Sequence, residues 1–142
     1  MRIADILKIK GRDVVTVRPD ATVSDVLGLL AEHRIGAIVV SEDGSAISGI
    51  VSERDIVRHL HSGGVGVVDR PVSDIMTKDV YTCGPDTEVA DLAQTMTDQR
   101  IRHLPVVVDG KLAAIVSIGD VVKHRIAGLT AERDQLVDYI QQ

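Results

Sequence analysis

Apolar and polar positions along this chain follow two periods, and each pattern occurs twice. Val23, Val26, Leu27 and Leu30 fall at helical spacing and make one apolar stripe. Val89, Leu92, Ala93 and Met96 repeat it, each 66 residues later. Thr22 stands before the first stripe as an N-cap, with Asp25 at the third helical position. A β-branched run follows each stripe, at residues 35–40 and 101–108, and predicts a buried strand. Pro105 inside the second run predicts an edge, an end or a bulge. Asp43-Gly44 and Asp109-Gly110 mark turns. A second strand then leads into a Ser-x-x-Asp step, Ser52 to Asp55 and Ser117 to Asp120. After each step a helix begins, carrying Ile56, Val57 and Leu60, or Val121, Val122 and Ile126.

The duplication extends beyond these elements. Residues 14–20 are echoed by 80–86, and 49–55 by 114–120. Pro19 to Pro85 is a step of 66 and Ser52 to Ser117 a step of 65, so the copies differ by one residue between those landmarks. A unit this small cannot bury its own core and is expected to pack on its copy, which creates a cleft with two related sites. The predicted fold is α/β (α+β): two pseudo-symmetric β-α-β-β-α repeats packed through their sheets, plus a C-terminal helix. Residues 1–66 form the first repeat with a lead-in helix and linker, 67–127 the second, and 128–142 the last helix. Ser62-Gly63-Gly64-Val65-Gly66 reads as a flexible connector. Val72-Ser73-Asp74-Ile75-Met76 resembles Ile3-Ala4-Asp5-Ile6-Leu7, and both predict short lead-in helices. The narrow stripe of Leu129, Leu136, Val137 and Ile140 suits docking on a partner subunit.

Composition narrows the function. Of 142 residues 44% are hydrophobic, yet Phe and Trp are absent and Tyr numbers 2, so the core is aliphatic. The usual stacking platforms for single-stranded nucleic acid are missing. A net charge of -5 argues against DNA, RNA or anionic membrane as partners. No apolar stretch approaches the ~20 residues of a membrane span. The N-terminus lacks the apolar run of a secretory signal. A single cysteine, Cys83, excludes an internal disulfide and a thiolate metal cluster. A reducing, cytoplasmic location is the expectation.

Gly49-Ile50-Val51-Ser52-Glu53-Arg54-Asp55, Ala114-Ile115-Val116-Ser117-Ile118-Gly119-Asp120, Arg102-His103-Leu104-Pro105-Val106 and Asp74-Ile75-Met76-Thr77 carry a family resemblance. Over residues 3–126 the chain resembles a tandem pair of cystathionine β-synthase (CBS) domains, a Bateman module, of the small stand-alone bacterial type. The resemblance implies regulatory binding of an adenosine-containing ligand: AMP, ADP, ATP, NAD(H) or S-adenosylmethionine. It also implies a homodimer, with no required cofactor.

The chemistry agrees. A carboxylate can receive both hydroxyls of a ribose diol, and a Ser hydroxyl with free amides at a helix start suits a phosphate. Asp55 and Asp120 are expected to hold ribose, Ser52 and Ser117 phosphate. Thr16-Val17 and Thr82-Cys83 would read the adenine edge, with Ala37 and His103 bordering the two slots. Gly49, Ile50 and Val51 complete the first site; Pro105, Ile115 and Val116 complete the second. Arg54, with Gly119 as its counterpart, is the natural cation for a polyphosphate, and Arg102 reaches the cleft from the other half. Gly49 is replaced by Ala114, which weakens the second site. Ser-x-x-Asp before a helix is equally an N-terminal cap, and the two roles are compatible.

His59 and His61 are two apart on a helix, do not face the same way, and have no third ligand. No nucleophile elbow, P-loop or dinucleotide-binding fingerprint occurs. The expected function is a non-enzymatic adenine-nucleotide sensor that signals to a protein partner. The alternative is a ligand-free interaction module whose Ser-x-x-Asp motifs only cap helices.

Overall fold

The computed structural model describes residues 1–141. The elements run α1 (Ile3–Lys10), β1 (Thr16–Val17), α2 (Val23–His33), β2 (Ala37–Val40), β3 (Gly49–Ser52) and α3 (Glu53–Gly63), then α4 (Val89–Gln99), β4 (His103–Val108), β5 (Lys111–Ser117) and α5 (Ile118–Gln141). Short 3-10 segments, Val65–Asp69 and Val72–Asp74, join the halves.

Local chemistry sets the helix ends. The Asp25 N–H donates to Thr22 Oγ1 and the Thr22 N–H to the Asp25 carboxylate, each at 3.1 Å, a complete capping box. α2 and α4 both end on an arginine in the left-handed region, Arg34 at φ 54 and Arg100 at φ 55. The repeat therefore extends to backbone conformation 66 residues apart.

β2 lies between β1 and β3, parallel to β1 and antiparallel to β3, with Ala37 opposite Ser52 and Val40 opposite Gly49. In the second half β4 pairs antiparallel with β5, His103 opposite Ser117. The counterpart of β1 shrinks to one parallel bridge, Cys83 to Val106. The register shifts between Val106 and Val107, beside Pro105, which has no N–H for the ladder.

Two aliphatic cores result, and the lead-in segments are exchanged between them. Ile3, Ile6 and Leu7 of α1 pack into the second core with Leu92, Met96 and Val116. Val67, Val72 and Ile75 pack into the first with Val26, Ile38 and Ile56. Buried aliphatic side chains contribute roughly 1.5–3 kcal/mol each, so three of them fasten each lead-in firmly. Ala37 and Val39, the alternate positions of β2, are also buried but lie outside the first core. They lie on the opposite face of the sheet.

Three local expectations change. α1 is a full helix, but its counterpart is a single 3-10 turn, because Thr77 is drawn into extended pairing with Ile50. The glycine-rich connector is exposed but has regular structure: α3 runs through Gly63, Gly64 turns the chain at φ 79, and a 3-10 segment starts at Val65 and buries Val67 beyond the connector. The C-terminal helix is not separate, since α5 continues unbroken through Gly128 to Gln141. Gln142 lies outside the described residues.

Candidate functional site

Both Ser-x-x-Asp motifs sit where a strand passes directly into a helix, and both are complete capping boxes. Asp55 Oδ2 accepts the Ser52 N–H at 2.9 Å and the Ser52 hydroxyl at 3.0 Å, while the Asp55 N–H donates to Ser52 Oγ at 3.3 Å. The corresponding distances at Ser117 and Asp120 are 2.9, 3.1 and 3.2 Å. The Glu53 N–H donates to the Gly36 carbonyl and the Ile118 N–H to that of Arg102, one frame built twice. Capping therefore operates at both motifs. It spends only Oδ2 of each carboxylate: neither Asp55 Oδ1 nor Asp120 Oδ1 has a hydrogen bond among the described residues. The Ser52 hydroxyl proton is committed to the Asp55 carboxylate, so donors for a phosphate must come from elsewhere.

A cavity of about 480 Å³ opens beside Asp55. The first half contributes Ala37, Ile50, Ser52, Arg54 and Asp55. Thr77, Asp79, Val80 and Tyr81 come from the joining segment, and Arg100, Arg102 and His103 from the second half. Its size falls within the range of small-molecule sites. Arg54, Arg58, Arg100 and Arg102 line it together with Glu53, Asp55 and Asp79. Among the described residues none of these four guanidinium groups is in an ion pair. Arg54, Arg100 and Arg102 also line an adjoining hollow of about 240 Å³. The Tyr81 hydroxyl donates to Gln99 Oε1 at 2.9 Å, fixing one rim.

At the second motif a lysine intervenes. Lys10 Nζ donates to Asp120 Oδ2 and to the Ile115 carbonyl, each at 2.6 Å. The ion pair is partly sheltered, Asp120 being 19% exposed and Lys10 31%. In the first half the equivalent carbonyl, Ile50 O, accepts the Thr77 backbone N–H at 2.9 Å. A side-chain ammonium thus replaces a strand pairing. Thr77 also explains Gly49: a Cβ there would lie 2.6 Å from Met76 Sδ and 2.8 Å from the Thr77 carbonyl oxygen.

The electrostatics follow from this arrangement. Burial would raise the Asp120 carboxyl, but hydrogen bonds from Lys10 and Ser117 outweigh it and hold the group below its ordinary value. His103 is lowered, chiefly by burial and then by the Lys10 charge; Glu53 and Asp120 offset this only in part. Burial pushes the Cys83 thiol up to about 11, so it stays protonated, near the Pro105 carbonyl.

Of the first expected site, Ala37, Ile50, Ser52, Arg54 and Asp55 line the cavity. Thr16 and Val17 instead pair with Val39 and Val40, Val51 is buried in the first core, and Gly49 is covered by Met76 and Thr77. Of the second, Arg102 and His103 line the Asp55 cavity, while Ser117, Asp120 and Ile115 gather around Lys10. Val116 belongs to the second core, Cys83 packs against it, and Pro105 and Thr82 do not line the cavity. Sequence reasoning missed Lys10, Arg58, Arg100 and residues 77–81. Arg58 lay within reach, one helical turn beyond Arg54.

Residues 3–62 and 72–127 each match the family model of the CBS domain. The chain belongs to the CBS-domain family. This CBS pair is similar to the solved CBS-domain protein ATU1752 of Agrobacterium tumefaciens, at 43% identity and a TM-score of 0.86, covering 88% of this chain and 99% of that one. The mitochondrial CBS domain-containing protein CBSX3 of Arabidopsis thaliana is 37% identical, across 98% of this chain and 71% of its own length. The CBS pair of MJ0100, solved with 5'-methylthioadenosine and S-adenosyl-L-methionine, shares the fold at 23% identity and a TM-score of 0.77, over 90% of this chain and 97% of that one. Among the described residues no helix is long and apolar enough to cross a membrane.

Proposed function

We propose that this CBS pair is a non-catalytic regulatory module that binds a phosphate-bearing adenosine nucleotide in the Asp55 cavity. One observation carries the reading: Asp55, with one oxygen unpartnered among the described residues, lines a cavity together with four arginines that are in no ion pair among those residues. Asp55 receives the ribose diol, Ala37, Ile50 and Val80 flank adenine, and Arg54, Arg58, Arg100 and Arg102 receive phosphate. Guanidinium forks match phosphate oxygens in geometry and charge. The same arginines disfavour the cationic sulfonium of S-adenosylmethionine, which leaves AMP, ADP, ATP and NAD(H). Because both halves and the joining segment supply the walls, the ligand shifts the balance between their arrangements. The signal passes to a protein partner, and the module acts as a homodimer.

Titrating AMP calorimetrically into wild type and Asp55→Ala tests this. The variant should lose about 1.5–3 kcal/mol of binding, the range for hydrogen bonds to charged groups. Equal affinity would remove Asp55 from the site.

A ligand-free interaction module is favoured by a different observation: both motifs are complete caps, and α5 exposes Val122, Ile126, Leu129, Leu136 and Ile140 along one side. Truncation after Gly128 should then abolish self-association or partner capture. Unchanged light scattering and pull-down would remove that reading.

A further inference from the structure

We propose that Lys10 is an internal latch that keeps the second Ser-x-x-Asp site closed to the nucleotide that the first site takes. This rests on the reading of Asp55 as the ribose-binding carboxylate and extends it to the regulation of its twin. The two motifs have the same capping distances within 0.1 Å, so the frame does not distinguish them. What differs is the neighbour. Asp120 Oδ2 already takes the Lys10 ammonium as well as the Ser117 N–H and hydroxyl. The ammonium is held a second time by the Ile115 carbonyl.

Asp120 Oδ1 has no hydrogen bond among the described residues, but the charge of this partly buried carboxylate is already matched by the Lys10 ammonium, so a neutral diol meets a weaker acceptor here than at Asp55. The helix that carries Lys10 is fixed in place. Ile3, Ile6 and Leu7 anchor its helix in the second core, and Gly11, at φ 87, turns the chain immediately after it. Nor is Lys10 a free phosphate receptor, since its charge is matched by Asp120. Gly119 stands where the first motif has Arg54, so the second motif has no arginine at that position. Lys10 comes from the lead-in of the other repeat, so the selectivity of the second site is set by residues outside its own half.

Calorimetric titration of AMP into wild type, Asp55→Ala, Lys10→Met and the double variant tests the latch. Wild type should take one AMP per chain and Asp55→Ala none in the same concentration range. Lys10→Met should take two and the double variant one, the opened site binding at least tenfold tighter than in wild type. Two AMP per chain in wild type, or one in Lys10→Met, would overturn the latch while leaving the Asp55 reading intact. No binding in any of the four would overturn both. A measurement on wild type needs no variant: side-chain NMR during the AMP titration should move the Asp55 carboxyl signal and leave those of Asp120 and the Lys10 ammonium in place. Movement of the latter pair would overturn the latch even if Lys10→Met failed to fold.

Discussion

Asp55 and Asp120 occupy the same frame and meet different surroundings. Each closes a capping box at a strand-to-helix junction, with a serine three residues earlier. Asp55 opens on a cavity with arginines on its walls, whereas Asp120 is bound by Lys10. The difference comes from the exchanged lead-ins. Thr77 pairs with Ile50 beside the first motif, and the chain then bends at Lys78 and Asp79 and lines the cavity. α1 approaches the second as a helix and delivers an ammonium group. A duplicated motif therefore yields two environments, because what is placed against each copy is not duplicated.

The comparison can be broken at several points. The largest effect is expected at the paired left-handed arginines. Arg100→Ala should weaken AMP binding about tenfold or more, since charge-assisted hydrogen bonds contribute roughly 1.5–3 kcal/mol. Arg34→Ala, its counterpart outside the cavity, should leave affinity unchanged. Equal losses by calorimetry would mean that the cavity arginines act only through stability.

Gly49 and Ala114 give a second contrast. Gly49→Ala forces a Cβ against Met76 and the Thr77 carbonyl and should destabilise the protein by about 1–3 kcal/mol. Ala114→Gly relieves no clash and should cost roughly 0.5–1 kcal/mol through backbone freedom. Denaturant midpoints that moved equally would contradict the close approach of Thr77 in the first half.

The smallest effect concerns pH. His103 lies at the seam, lining the Asp55 cavity and pairing in the sheet with Ser117. Its folded value is lowered below 6.5, mainly by burial. The unfolded state then binds the proton first, so this contribution is present above pH 6.5 and is lost as pH falls through the folded value. His103→Gln should therefore flatten the fall in melting temperature on acidification below that point. Parallel curves for the two proteins would remove His103 as the cause.

Much of this was legible in the sequence for physical reasons. Helical and strand periods, spaced 66 residues apart, fixed the duplicated elements, and Thr22 with Asp25 signalled its own capping box. Asp55, Arg54 and Ile50 line the cavity because one local motif carries them, and Ala37 joins them because its strand places it opposite Ser52. Arg102 and His103 were expected at the site of their own half; they line the Asp55 cavity. The exchange of lead-ins was not legible. Ile3, Ile6 and Leu7 announce a buried face but not which core receives it. Lys10 was missed for the same reason, since a lysine at a helix end ordinarily reads as solvated and favourable to the helix dipole. Thr16 and Val17 were expected at the cleft because each repeat was treated as supplying its own site, but they pair with Val39 and Val40, and Thr77, Asp79, Val80 and Tyr81 line the cavity.

The most direct test compares matched substitutions, Asp55→Asn and Asp120→Asn, which keep a capping acceptor and remove the charge. AMP binding to each should be measured by calorimetry beside wild type. Asp55→Asn should lose the interaction, while Asp120→Asn should keep the wild-type first-site affinity. Equal losses in the two variants, or a loss only in Asp120→Asn, would contradict the claim that one of two identical frames is open and the other closed.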